Sequence, residues 1–81
     1  MSPPGKFRDT LSDPAKDYTH RFADVVRFLE ANGWRQRIKG SHHIFTRSGV
    51  PLLLNLQPDK NGKAKAYQIR QVRQTLNQFN L

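Results

Sequence analysis

The 81-residue sequence predicts an α+β domain of the order α-β-β-β-α, with a three-stranded antiparallel sheet covered on one face by two helices. Three observations predict it. Two stretches, around residues 22–29 and 69–79, space their apolar residues at helical intervals. Between them lie three short segments of alternating or branched and aromatic residues, divided by Gly-Ser and Ser-Gly pairs. A chain this short, 36% hydrophobic, supports one thin core of two layers.

The elements follow in order. Residues 1–17 read as a flexible N-terminal tail, mobile or loosely laid on a domain spanning residues 18–81. Pro3-Pro4-Gly5 and Asp13-Pro14 interrupt helices, and Phe7 and Leu11 are too sparse to form a face. The first helix is expected from Thr19, whose hydroxyl is placed to accept from a free backbone N–H. Phe22, Val25, Val26 and Leu29 fall at i, i+3, i+4 and i+7, with Arg21, Asp24, Arg27 and Glu30 on the other faces. Asn32-Gly33 stops this helix, because glycine takes the left-handed conformation after a last turn.

In the first strand, Trp34 to Lys39, Trp34, Gln36 and Ile38 share one parity and Arg35, Arg37 and Lys39 the other. That is a half-buried strand with a cationic outer face. Gly40-Ser41 supplies a hairpin turn, His42 to Arg47 the second strand, and Ser48-Gly49 another turn. Pro51 to Leu56 is the third strand, with Leu52, Leu54 and Leu56 on one parity; proline suits its first position or an edge. Gln57 to Lys65 is a polar loop carrying Lys60, Lys63 and Lys65. The last helix runs from about Ala66 to Phe79, with Ile69, Val72, Leu76 and Phe79 as its buried stripe.

Charge is unevenly placed. Residues 1–32 hold five basic and five acidic side chains; residues 33–81 hold nine basic ones against Asp59 alone, so the net charge of +8 lies entirely in the second part. One sign of charge over half a small domain repels itself, and recognition of a polyphosphate accounts for that cost. The bland alternative is a basic surface kept for solubility. No stretch approaches the ~20 apolar residues of a membrane span. Met1 to Arg8 holds no apolar signal core, so a cytoplasmic location and no membrane partner are expected. The chain has no cysteine, which excludes disulfides, a thiolate zinc site and a cysteine nucleophile.

Catalytic groups are few. Of six carboxylates, only Asp59 lies outside the first helix and the tail, whereas a two-metal nuclease needs several converging acids. His42 and His43 are adjacent on a strand and point to opposite faces, which makes a poor chelate, and His20 is the only other histidine. The expectation is therefore no metal and no cofactor. What remains is an imidazole at the Lys39-Gly40-Ser41-His42-His43 hairpin corner, beside Arg37 and Lys39. Imidazole is the side chain suited to proton transfer near neutrality, and neighbouring cations stabilise charge developing on a phosphorane. RNA carries its own nucleophile, the 2′-hydroxyl, and needs no metal once that group is deprotonated; DNA lacks it. Each of these residues also has an ordinary role. A strand histidine is more often structural than catalytic, Ser41 suits a turn, and Trp34 and Phe45 suit a core. Tyr67, at a helix start, suits either packing or base stacking.

Leu29-Glu30-Ala31-Asn32-Gly33-Trp34 followed by Arg37-Ile38-Lys39-Gly40-Ser41-His42-His43-Ile44-Phe45 resembles the HicA (YcfA-like) family of toxins in type II toxin–antitoxin systems. Leu54-Asn55-Leu56-Gln57-Pro58, and Lys63-Ala64-Lys65 leading to Tyr67-Gln68-Ile69-Arg70-Gln71-Val72-Arg73, resembles one branch of it. The likeness covers about residues 19–81. It implies a fold like a double-stranded-RNA-binding domain and an endoribonuclease, an mRNA interferase, silenced by a HicB antitoxin. The family's catalytic histidine carries over to His42, directly after Gly40-Ser41, with His43 the alternate because some members place it one position later. Many members also have a proline and a histidine near the end of the third strand; here only Pro58 remains. From the charge and the hairpin corner, Arg37, Lys39, Gly40, Ser41, Lys60, Lys63 and Lys65 are the expected RNA-binding residues. The alternative is a non-catalytic RNA-binding or regulatory module on the same scaffold.

Overall fold

A computed structural model describes residues 4–81. The element order is α1 (Pro4–Ser12), a 3-10 turn (Pro14–Lys16), α2 (Phe22–Ala31), β1 (Arg35–Lys39), β2 (His42–Thr46), β3 (Leu54–Leu56) and α3 (Ala66–Gln78). The strands form one antiparallel sheet in the order β1-β2-β3. Phe22, Val25, Phe28 and Leu29 from α2 and Ile69, Val72 and Leu76 from α3 bury themselves with Phe45, Leu54 and Leu56 of the sheet. The expected α-β-β-β-α frame is present, and Trp34 and Phe45 are core residues.

The helix ends show how the chain sets its boundaries. Gly33 stands at φ +89° after α2. Its N–H donates to the Glu30 carbonyl at 3.2 Å and the Trp34 N–H to that of Leu29 at 3.0 Å, a Schellman closure. The start differs from expectation. Thr19 does not cap α2; its hydroxyl donates to the Lys16 carbonyl at 2.7 Å. The helix begins at Phe22, whose N–H is satisfied by the Gly62 carbonyl at 3.0 Å, a long-range substitute for a side-chain cap.

Residues 4–17, expected as a flexible tail, form α1 and the 3-10 turn and pack on the core through Phe7 and Leu11; the part of that expectation on residues 1–3 lies outside the described residues. Pro4 occupies the first turn of α1, where a missing N–H costs no helical bond. Phe7 and Leu11 lie one turn apart and act as a face: Leu11 is fully buried and Phe7 packs on Phe28 at 5.2 Å between ring centroids. Polar bonds complete the docking. The Arg8 guanidinium donates to the Leu81 carbonyl and, at 3.0 Å, to Asn32 Oδ1. Arg73 donates to the Leu11 carbonyl at 3.2 Å and pairs with buried Asp17 through both guanidinium nitrogens, at 2.8 and 3.3 Å.

Two strand details also differ. β3 spans only Leu54–Leu56: the chain turns after β2, with the Val50 N–H on the Arg47 carbonyl at 3.1 Å, and pairs with β2 again only from Leu54, so Leu52 and Leu53 are exposed. Ile38 is 60% exposed although it shares the inner parity with Gln36; it lines an open groove with Phe22 and Val26 of α2 rather than a closed core. Among the described residues, no helix is long and apolar enough to cross a membrane.

Candidate functional site

The register of the sheet sorts the hairpin onto two faces. Lys39 pairs with His42, Arg37 with Ile44 and Arg35 with Thr46; on the other side Ile44 pairs with Asn55. By strand alternation these residues share the face turned away from the helices. Arg35, Arg37, Lys39, His42 and Asn55 are all exposed there, so the outer face is cationic with one imidazole in it. Directly opposed side chains on such a ladder have Cβ atoms roughly 5 Å apart, which brings the Lys39 stem beside the His42 ring.

The corner itself is built by Gly40 and Ser41. Gly40 has φ +62°, a left-handed conformation that disfavours other residues, and a Cβ there would meet nothing within 4 Å. The backbone is thus open to close approach. Ser41 Oγ accepts from Gln57 Nε2 at 3.1 Å, which ties the turn to the segment after β3. His42 Nδ1 lies 3.1 Å from Asn55 Oδ1. An amide oxygen only accepts, so Nδ1 carries the proton and donates, and Nε2 is left as the free acceptor.

His43 occupies the opposite face. Its Nδ1 is 2.6 Å from Gln36 Oε1, and its ring stands edge-on to Phe22 at 4.8 Å. With Phe22, Val26, Ile38 and Pro58 it lines an apolar groove of about 550 Å³. The two adjacent histidines therefore have unlike surroundings: His42 sits among cations on the open face, His43 against the helix layer.

The structure groups Arg37, Lys39, Gly40, Ser41 and His42 at one end of the hairpin. Lys60, Lys63 and Lys65 sit apart on the Gln57–Lys65 loop; Lys60 and Lys63 are exposed and Lys65 precedes the first turn of α3. That loop is a folded unit. Pro58 bridges to Ala64 and Lys63 to Arg21. Asp59 organises it: its Oδ1 accepts from the N–H groups of Asn61 at 2.8 Å and Lys63 at 2.9 Å. The Lys63 N–H, more than any other group, holds this carboxyl below its ordinary range. Asp59 is thereby committed to the loop. Among the described residues, no three His, Asp or Glu side chains gather as metal ligands.

Two residues at the corner escaped the sequence reading. Asn55 holds the His42 ring, and Gln57 holds Ser41. Asn55 had a legible signal. A polar residue between Leu54 and Leu56 on a strand must face away from the core, towards whatever the outer face carries. Gln57 had none, since it lies past the end of β3 where parity no longer applies.

A family model described as the HicA toxin of bacterial toxin–antitoxin matches residues 22–81. The matched stretch runs from α2 to the C-terminus and contains the whole corner; α1 and the 3-10 turn lie outside it. Neither the curated proteins nor the solved structures contain a match.

Proposed function

The chain belongs to the HicA family of toxins from bacterial toxin–antitoxin systems, and on that premise we propose that it is an endoribonuclease that cleaves messenger RNA with His42 as general base. As a toxin of such a system it has an antitoxin partner; the proposed partner is of the HicB type.

The observation that carries this reading is the hydrogen bond between His42 and Asn55 on an exposed cationic face. With Nδ1–H held by Asn55, Nε2 is free to take the proton of a 2′-hydroxyl. The resulting oxygen attacks the adjacent phosphorus and the bond to the 5′-oxygen breaks. The products are a 2′,3′-cyclic phosphate and a 5′-hydroxyl, the leaving oxygen taking its proton from solvent or from the imidazolium. Lys39, opposite His42 on the ladder, and Arg37 beside it stabilise the charge that develops on the phosphorane. Gly40 and Ser41 let the strand lie close to the backbone, and Lys60, Lys63 and Lys65 hold phosphates further along. No step requires a metal ion, and the scarcity of carboxylates on this face fits a reaction driven by imidazole and cations.

Inhibition by the antitoxin is simplest if an acidic surface of it covers the corner, since that surface meets the basic face and blocks His42 together. The test of the whole reading is controlled expression in bacteria with analysis of transcript ends. Growth arrest with cyclic-phosphate ends, both absent in His42→Ala, supports it. Growth unaffected by the parent chain, together with salt-sensitive RNA binding and no cleavage, favours a non-catalytic RNA-binding module.

A further inference from the structure

Tyr67 is set up as more than a surface residue. Most aromatic side chains of the described residues are buried or packed on the core; the large exposed ones are Tyr18 and Tyr67, at 73% and 56%. Of these, only Tyr67 is wired to the corner. Its hydroxyl accepts from Gln68 Nε2 at 3.4 Å. Gln68 Oε1 accepts from the Gln57 N–H at 3.2 Å. Gln57 Nε2 in turn donates to Ser41 Oγ at 3.1 Å. Three hydrogen bonds thus run from the residue beside His42 to an exposed ring on α3.

The middle of that relay is the informative part. Gln68 is 4% exposed on a helix whose inner stripe is otherwise Ile69, Val72, Thr75 and Leu76. A buried amide costs stability unless its polar atoms are engaged. Here both ends of the amide are engaged, one on the segment after β3 and one on the tyrosine. Tyr67 is therefore located relative to the hairpin turn while more than half of the residue stays exposed. Two cations flank it in sequence: Lys65 at the helix start, and Arg70 one turn later, half exposed and loosely paired with Asp17 at 3.9 Å.

We infer that Tyr67 is a base-stacking subsite for single-stranded RNA, on which one base rests while the flanking phosphates engage Lys65 and Arg70. A cationic track interleaved with an aromatic platform is how single strands are held without reading their sequence. The inference rests on the proposal that the chain acts on RNA. It adds a place for a base, separate from the groups that act on phosphate.

Binding, not cleavage, tests it. The probe is a 2′-O-methyl decamer of uridine, which lacks the nucleophile, together with decamers carrying one abasic site at each position in turn. Affinities are measured for the full chain and for Tyr67→Ala, Tyr67→Leu and Tyr67→Phe, with circular dichroism as the check on folding. Tyr67→Ala and Tyr67→Leu are expected to weaken binding about tenfold, within the range seen for a single stacked base, and Tyr67→Phe by less than about twofold. One abasic position is expected to cost the parent about the same factor and the alanine variant almost nothing. Equal affinity of all four proteins, or an abasic penalty unchanged in Tyr67→Ala, overturns the subsite and leaves the nuclease proposal standing. Absence of any decamer binding by the parent chain overturns both.

Discussion

His42 and Asn55 meet across the β2–β3 ladder, with Nδ1 of the ring 3.1 Å from the amide oxygen. The contact fixes both the ring's orientation and the tautomer in which Nε2 accepts. Asn55→Ala is expected to lower the cleavage rate by roughly 10-fold or more without abolishing it, because the base survives but is no longer held. Asn55→Asp keeps an acceptor for Nδ1–H and is expected to retain more activity than Asn55→Ala. Cleavage rates of the two variants across pH 5 to 8 decide the matter, and equal rates in both would show that Asn55 does not act through the ring.

His43 separates from its neighbour on the same grounds. It lies against Phe22 and bonds Gln36 on the inner face. His43→Gln is expected to leave cleavage within a few-fold of the parent and to cost stability of about 1 kcal/mol, the size of a typical partnered polar group. Thermal unfolding and a cleavage assay on one preparation check both halves.

The N-terminal helix is expected to hold the fold together. Leu11→Ala removes a fully buried side chain from the core and should destabilise by ~2–5 kcal/mol. Asp17→Ala leaves Arg73 without its carboxylate; breaking a buried pair costs about 3–5 kcal/mol, and the lower end applies because Arg73 retains some solvent contact. Urea unfolding measures both. An N-terminal segment that merely rests on the surface would give changes below about 0.5 kcal/mol.

Stability should also fall in acid, in two stages. Burial pushes His20 below its ordinary value of 6.5, and its Nε2 has no partner in the interior. The unfolded chain binds that proton more readily, so stability is full above about pH 6.5 and declines as pH falls towards the folded value. Asp17 is held low chiefly by its hydrogen bond to Arg73, despite burial. Its contribution is full above its ordinary value of 3.8 and is lost as pH falls through the lowered one. His20→Leu is expected to remove the first stage and leave the second, as read from unfolding midpoints between pH 3 and 8.

The frame of the domain was legible because its signals are local. The α2 stripe, the Gly33 stop, the Gly40-Ser41 turn and the parity of Arg35, Arg37 and Lys39 each involve residues close in sequence. The outward position of the cations follows from that parity alone. What was hidden depends on distant partners. Phe7 and Leu11 look sparse until α1 meets Phe28 and α3, and Arg8 and Arg73 reach the other end of the chain for their partners. The start of α2 was misplaced because its cap is the Gly62 carbonyl, some forty residues away. At the corner, parity says only that His42 and His43 face apart. Which face carries the core is set by Phe45, Leu54 and Leu56 together, through the register of all three strands.

The most direct measurement is single-turnover cleavage of an RNA oligomer by the parent chain and by His42→Ala, in excess chelator, with folding verified. The account predicts cleavage by the parent that chelation does not reduce, and a loss of about 10²–10⁴-fold in the variant. Undiminished cleavage by His42→Ala, or parent activity that disappears with the chelator, would contradict it.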